Sequence, residues 1–219
     1  MPKPERLPRP TVERLSLYLR ELERARDAGA ATVSSRTLGL AAGATDAQVR
    51  KDLGFVGSAG RPGVGYRTDR VLDAIRVVIG VHRPWRAVLV GAGNIGRALA
   101  SYERFRDEGF VIVAILDRAS GTVGRQVAGL EVRPIDQLAR IVRSERADIG
   151  IIAVPGEEAQ SVADGLVAAG VSGILNFAPR RLSTPERVPT VDVDFRSALE
   201  RLAADISRRP AKAGSGRIR

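Results

Sequence analysis

The feature that most restricts this chain is a glycine pattern near its midpoint. Gly91-Ala92-Gly93-Asn94-Ile95-Gly96 reads G-x-G-x-x-G, a spacing that by itself also occurs in ordinary turns. Here it directly follows a short apolar run, Ala87-Val88-Leu89-Val90, and opens a stretch of helical spacing that carries Ile95, Leu99 and Tyr102. Strand, glycine turn and helix begin a dinucleotide-binding unit. Asp117 ends the next apolar run, about 20 residues on, where that fingerprint wants a carboxylate. Each part has a mechanical reason. Gly91 permits the turn, Gly93 lets the backbone approach a pyrophosphate, and Gly96 lets helix and strand pack closely. The helix N-terminus offers free N–H groups and partial positive charge. Asp117 accepts from the adenosine ribose hydroxyls and repels a 2′-phosphate, which points to NAD; Arg118 beside it could instead welcome the phosphate of NADP. A glycine turn in an empty domain of the same fold stays open as the plain alternative.

The surrounding sequence continues the pattern. Val111–Leu116, Ile149–Val154 and Val171–Leu175 are further apolar runs separated by helix-like stretches, which argues a doubly wound α/β domain. Arg83-Pro84-Trp85-Arg86 reads as a boundary, because everything before it follows a different pattern. Val12, Leu15, Leu19, Leu22 and Ala25 form a helical stripe that Gly29 stops. Ser34-Ser35 caps a short segment, Gly43-Ala-Thr45 breaks it, and Thr45 caps a helix carrying Val49 and Leu53. That is a helix-turn-helix layout. The glycine-dense Gly57–Tyr66 would follow its recognition helix as a wing, and residues 68–82 return to helical spacing.

Composition narrows the function. The 219 residues allow one large domain or two small ones. With no cysteine and one histidine, disulfides, thiol catalysis and Cys- or His-rich metal sites are excluded. No apolar run approaches the roughly 18 residues of a membrane span, and the first ten residues lack the apolar stretch of a signal peptide, so a cytoplasmic protein without membrane contact is expected. The net charge of +10 is uneven: residues 1–86 hold 16 basic and 9 acidic side chains, residues 87–200 hold 13 and 15, and residues 201–219 hold 6 and 1. A basic front beside a near-neutral middle suggests polyanion binding, although 32 of the 35 cations are arginine and a compositional bias would also produce the excess.

A dehydrogenase needs a proton donor beside the nicotinamide. His82 lies in the boundary segment, no lysine occurs between Lys51 and Lys212, and Tyr102 has no lysine three or four residues on. Residues 87–200 barely complete a nucleotide fold. The expected protein therefore reads the coenzyme without turning it over and is not an enzyme. A small NAD(P)-dependent oxidoreductase with a basic N-terminal appendage, or a nucleotide-responsive scaffold using the N-terminal helices for protein contacts, are the competing readings.

Together these parts resemble the Rex family of redox-sensing transcriptional repressors. The resemblance rests on Gln48-Val-Arg-Lys-Asp-Leu53, the wing end Gly63-Val-Gly-Tyr66, Gly91–Gly96, Ile174-Leu-Asn-Phe-Ala-Pro179 and Val193-Asp194-Phe195. The chain departs from the family pattern at the wing tip, Arg61-Pro62-Gly63, at Val56 and at Arg118. The resemblance implies a winged helix-turn-helix DNA-binding domain (1–82), a Rossmann NAD(H)-binding domain (86–193), a swapped C-terminal dimerisation helix (194–208) and a disordered basic tail (209–219). It implies a homodimer on a palindromic operator, released by NADH, with NAD⁺ binding more weakly. Expected DNA contacts are Ser34, Ser35, Gln48, Arg50, Lys51 and Arg61; Gln suits adenine and Arg guanine, while a solvated helix face is the plain alternative. Val154, Pro155, Asn176 and Phe195 join Gly91–Gly96, Asp117 and Arg118 at the cofactor. Phe195 is expected in the partner's nicotinamide pocket. Phe195, Ala198, Leu199, Leu202, Ala203 and Ile206 form an apolar stripe that serves either the dimer or packing on the helix's own sheet. The family's switch contacts fall on Arg20, Tyr102 and Asp194, with the carboxylate shared between the two donors.

Overall fold

A computed structural model describes residues 7–208 of the chain. It divides after Pro84 into two compact units.

The first unit is helical with one small hairpin. Helix α1 (Arg9–Asp27) starts at a proline, whose fixed φ suits a first turn, and places Leu15, Tyr18 and Leu22 on one buried face. Strand β1 (Thr32–Val33) leads to α2 (Ser35–Ala42), where the Ser34 hydroxyl accepts from the Thr37 N–H at 3.0 Å. Gly43 closes α2 in the left-handed region. Thr45 then caps α3 (Asp46–Phe55), accepting from the Gln48 N–H at 3.2 Å. After the glycine-rich segment, β2 (Tyr66–Arg67) pairs antiparallel with β1 and runs into α4 (Thr68–Val78). Both strands have two residues and gain their order from packing: Val33 and Tyr66 point into one core with Leu38, Val49, Leu53 and Ile75. Each such fully buried aliphatic side chain contributes about 1.5–3 kcal/mol.

The second unit is a seven-stranded sheet with helices on both faces. Its elements are β3 (Trp85–Val90), α5 (Asn94–Ala100), α6 (Arg104–Asp107), β4 (Phe110–Asp117), β5 (Gln126–Val127), β6 (Leu130–Pro134), α7 (Leu138–Ser144), β7 (Ile149–Ile152), α8 (Gly156–Ala169), β8 (Gly173–Asn176), β9 (Thr190–Asp192) and α9 (Phe195–Ser207). The strand order is β5-β6-β4-β3-β7-β8-β9, all parallel except the β5–β6 hairpin. From β6 to β9 this is the order of two mononucleotide-binding halves meeting at β3 and β7, the switch point where such sheets take ligands. Alternation divides β3 between two cores: Val88 and Val90 face α7 and α8, while Ala87 and Leu89 face the opposite layer with Ile115 and Val132. The 149–154 run is trimmed to Ile149–Ile152, because Ala153 and Val154 already belong to the loop over the sheet's carboxyl edge. The 171–175 run moves to Gly173–Asn176. The 68–82 helix stops at Val78, short of His82.

Helix α9 buries no side chain: Phe195, Leu199, Leu202 and Ile206 are 56%, 65%, 55% and 59% exposed. Its stripe does not pack on the sheet of its own chain. Residues 209–219, expected as a basic tail, lie outside the described residues.

Candidate cofactor cleft and nucleic-acid interface

The glycine turn sits at the carboxyl end of β3. Gly91 has φ +101°, and a Cβ there would overlap the Ala153 carbonyl oxygen. A Cβ on Gly96 would overlap the Gly91 carbonyl oxygen. The protein itself forces both glycines. Gly93 differs: its φ of −70° and ψ of −165° suit any residue. A Cβ built on it meets no protein atom within 4 Å. The bare backbone at Gly93 therefore answers to no packing demand of the chain and faces open cleft.

Asp117 holds this turn in place. Its Oδ2 accepts from the Ala92 N–H at 2.7 Å and its Oδ1 from the Ala119 N–H at 2.8 Å. Each oxygen keeps a lone pair for a hydroxyl donor. Gly91, Gly93, Asp117, Arg118, Val154 and Pro155 line one cleft of about 420 Å³ together with Ile135, Ala153 and Glu158. Six expected cofactor residues thus converge where β3, β4 and β7 end. Glu158 was not anticipated; its carboxylate meets the Arg118 guanidinium at 3.2 Å. Ala92 and Gly96 are buried in the turn, Ile95 is 42% exposed on the first turn of α5, and Asn94 Oδ1 accepts from Arg97 at 2.6 Å.

One expected cofactor residue, Asn176, is 1% exposed and its amide serves its own loop. Nδ2 donates to the Arg180 carbonyl and to Asp192, each at 2.8 Å, and Oδ1 accepts from the Ala178 N–H at 3.0 Å. With both amide protons donated and the oxygen accepting from the backbone, Asn176 shapes the loop after β8 and its side chain does not line the cleft. The Phe195 ring lies 6.2 Å from that of Phe177 in the same unit, also outside the cleft lining.

In the first unit, Ser34, Ser35, Arg50 and Arg61 line one concavity of about 680 Å³ between the start of α2, the face of α3 and the wing. The wing is closed by a bridge between Arg61 and Gly65. Lys51, next to Arg50 on α3, is exposed. Gln48 is half-buried at the edge of this surface: its Nε2 donates one N–H to Asp52 Oδ1 at 2.9 Å, which orients the amide and leaves its second N–H and its oxygen for a further partner.

Asp52 was missed altogether. It is fully buried, accepting from Arg14 Nε at 2.6 Å, Arg14 Nη2 at 2.8 Å and the Tyr18 hydroxyl at 3.0 Å as well as from Gln48. This cluster clamps α3 to α1. Burial pushes the Asp52 carboxyl up, but hydrogen bonds from Arg14, Gln48 and Tyr18 outweigh it and hold it below the ordinary carboxylate value. Burial, then the hydrogen bond to Asp52, pushes Tyr18 up to about 12. In sequence, Asp52 stands beside Arg50 and Lys51 and looks like part of a solvated run; only its place one turn after Gln48 and beside Leu53 hinted otherwise.

Of the expected switch residues, Arg20 is exposed on α1. Tyr102 is half exposed, its ring edge-on to Phe105 at 4.9 Å. Asp194 caps α9, accepting from the Ser197 N–H at 3.1 Å and the Ser197 hydroxyl at 2.6 Å, which holds its carboxyl below the ordinary range.

A helix-turn-helix unit with a basic concavity, followed by a doubly wound domain with a dinucleotide-type cleft, defines a ligand-responsive DNA-binding regulator. A family model described as "Putative DNA-binding protein N-terminus" matches residues 6–54, and one described as "CoA binding domain" matches residues 82–180. The redox-sensing transcriptional repressor Rex of Carboxydothermus hydrogenoformans is 45% identical over 203 residues, covering 93% of this chain and 98% of the relative. That of Streptomyces coelicolor is 44% identical, covering 90% and 76%. Among solved structures, RSP, a Rex-family repressor, crystallised with β-NAD⁺ and operator DNA, is similar at a TM-score of 0.87 and 30% identity, over 93% of this chain and 94% of that one. Its complex with β-NADH gives 0.81 and 28%, over 93% and 95%. The chain belongs to the Rex family of redox-sensing transcriptional repressors. A reductase with a basic appendage is thereby set aside, since relatives matched over nearly their whole length are regulators.

Proposed function

We propose that this protein is a dimeric repressor that grips a palindromic operator through residues 1–82 and lets go when NADH occupies the cleft of residues 86–193. The observation that carries the reading is Gly93. The two flanking glycines are forced by the fold; the middle one lines the cleft with its backbone bare and no protein atom against it, which leaves room for the pyrophosphate of a dinucleotide to lie there. Asp117, already oriented by two backbone N–H groups, receives the adenosine ribose hydroxyls. Gly91, Ala92, Asn94, Ile95, Gly96, Val154 and Pro155 complete the binding surface. The coenzyme supplies a nicotinamide whose charge depends on its redox state. An apolar surround discriminates, because desolvating the cationic oxidised ring is costly and the reduced ring is neutral.

On the operator side, Arg50 and Lys51 act from α3, Arg61 from the wing, and Ser34 and Ser35 from the start of α2. Arginine in a narrow minor groove gains from its negative potential. The exposed stripe of α9 belongs against a second copy of the chain, bringing Phe195 to the partner's nicotinamide end. Asp194, held here by Ser197, alternates between Arg20 and Tyr102 as the coenzyme changes. Two carboxylate states of similar energy make a bistable element. The place of action is the cytoplasm, where operator and coenzyme meet; no helix among the described residues is long and apolar enough to cross a membrane.

The test is a mobility assay on a palindromic, A/T-rich operator with NADH and NAD⁺ titrated separately. Release at a much lower concentration of NADH supports the reading. Release by both at equal concentration defeats it.

A further inference from the structure

The cleft carries a charge arrangement that its proposed ligand does not by itself require. Three charged side chains line it: Asp117, Arg118 and Glu158. Arg118 follows the ribose-binding carboxylate directly, the position from which an arginine accommodates a 2′-phosphate. Yet its guanidinium is already engaged. Glu158, in the first turn of α8, takes Arg118 Nη1 at 3.2 Å. Glu158 is the more sheltered partner at 27% exposed, Arg118 the more exposed at 66%. The helix N-terminus of α8 favours the carboxylate where it stands. Such a half-exposed pair adds little to stability. Its consequence lies in what Arg118 is free to bind.

We infer that Glu158 is the specificity-determining residue of this cleft: by holding Arg118, it turns the one cation beside the ribose away from phosphate recognition and fixes the preference for a coenzyme with a free 2′-hydroxyl. The inference rests on the NADH reading above. With Glu158 in place, the cleft holds two carboxylates and one guanidinium. A 2′-phosphate would either share Arg118 with Glu158, whose charge already offsets the cation, or draw it away and leave that carboxylate unpaired; in both cases it sits among two negative groups with one positive. A ribose hydroxyl asks none of this; it donates to Asp117 and leaves the Arg118–Glu158 pair closed across the cleft from β4 to α8.

The test is a comparison of dissociation constants for NADH and NADPH in the full-length protein, read by nicotinamide fluorescence, for wild type, Glu158→Gln and the double variant Glu158→Gln/Arg118→Gln. Glutamine keeps the size and an acceptor oxygen but removes the charge. The NADPH-to-NADH affinity ratio is expected to rise about tenfold or more in Glu158→Gln, the scale of one like-charge contact relieved at partial exposure. The gain is expected to vanish in the double variant, because Arg118 is the group set free. An unchanged ratio in Glu158→Gln, or a gain that survives loss of Arg118, overturns the inference. Failure of the wild type to bind NADH at all overturns the underlying reading, and is seen in the same titration before any variant is compared.

Discussion

Gly93→Ala separates what the fold needs from what the ligand needs. At φ −70° and ψ −165° alanine is unstrained, and its methyl group meets no protein atom within 4 Å. Gly93 occupies the N-cap of α5, where glycine is moderately better than alanine. Loss of unfolded-chain freedom offsets that by about 0.4–1 kcal/mol. The net change in stability is therefore within about 1 kcal/mol. Binding behaves differently. The methyl group occupies the face along which a pyrophosphate oxygen would approach the backbone, so at least one charge-assisted hydrogen bond, about 1.5–3 kcal/mol, is lengthened or lost. NADH affinity is expected to fall about 10- to 100-fold. Thermal unfolding and an NADH fluorescence titration on the same sample measure both quantities. If Gly93→Ala binds NADH as the wild type does, the pyrophosphate does not rest on this turn; if it unfolds, the protein needed the glycine for itself, and the central observation is wrong.

Other consequences follow from named contacts. Asp52→Ala leaves the buried Tyr18 hydroxyl and the Arg14 guanidinium without their acceptor, which costs the first unit about 3–5 kcal/mol; urea unfolding followed by hydrogen exchange in α3 measures it, and a loss under about 1 kcal/mol contradicts the clamp. Because the folded Asp52 carboxyl lies below its ordinary value, its stabilisation is present above pH of about 4 and disappears as pH falls through the lower folded value. Tyr18, pushed up to about 12, contributes fully below pH of about 10 and loses its contribution as pH rises toward that value, so Tyr18→Phe should flatten the alkaline limb of a stability–pH curve. Arg61→Ala should reduce the salt slope of operator binding by about one and weaken preference for A/T-rich flanks; an unchanged slope places the wing away from phosphate. Leu202→Glu should convert the proposed dimer to monomer in sedimentation, whereas a monomeric wild type would remove the proposed role of α9.

Much of this was legible because it is local. The glycine turn, the cap hydroxyls of Ser34 and Thr45, and the apolar runs of β3, β4, β7 and β8 all follow from spacing along the chain. The hairpin of β5 and β6 and the edge strand β9 were not read. They have two, five and three residues, carry mostly exposed or half-buried side chains, and exist because β4 and β8 present edges for β6 and β9 to pair with. The hidden part of the site is likewise what distant segments bring together. Asp52 reaches Arg14 across 38 positions, and Glu158 reaches Arg118 across the sheet. Gln48 and Asn176 have the right side chains for recognition, yet folding gives each a nearer partner.

The central claim is that one coenzyme cleft and one operator surface exclude each other's ligand. Linkage makes that claim measurable in a single experiment: the dissociation constant of NADH with and without saturating operator DNA. The account predicts that operator weakens NADH binding by the same factor by which NADH weakens operator binding, at least about tenfold. An NADH affinity indifferent to DNA would contradict it.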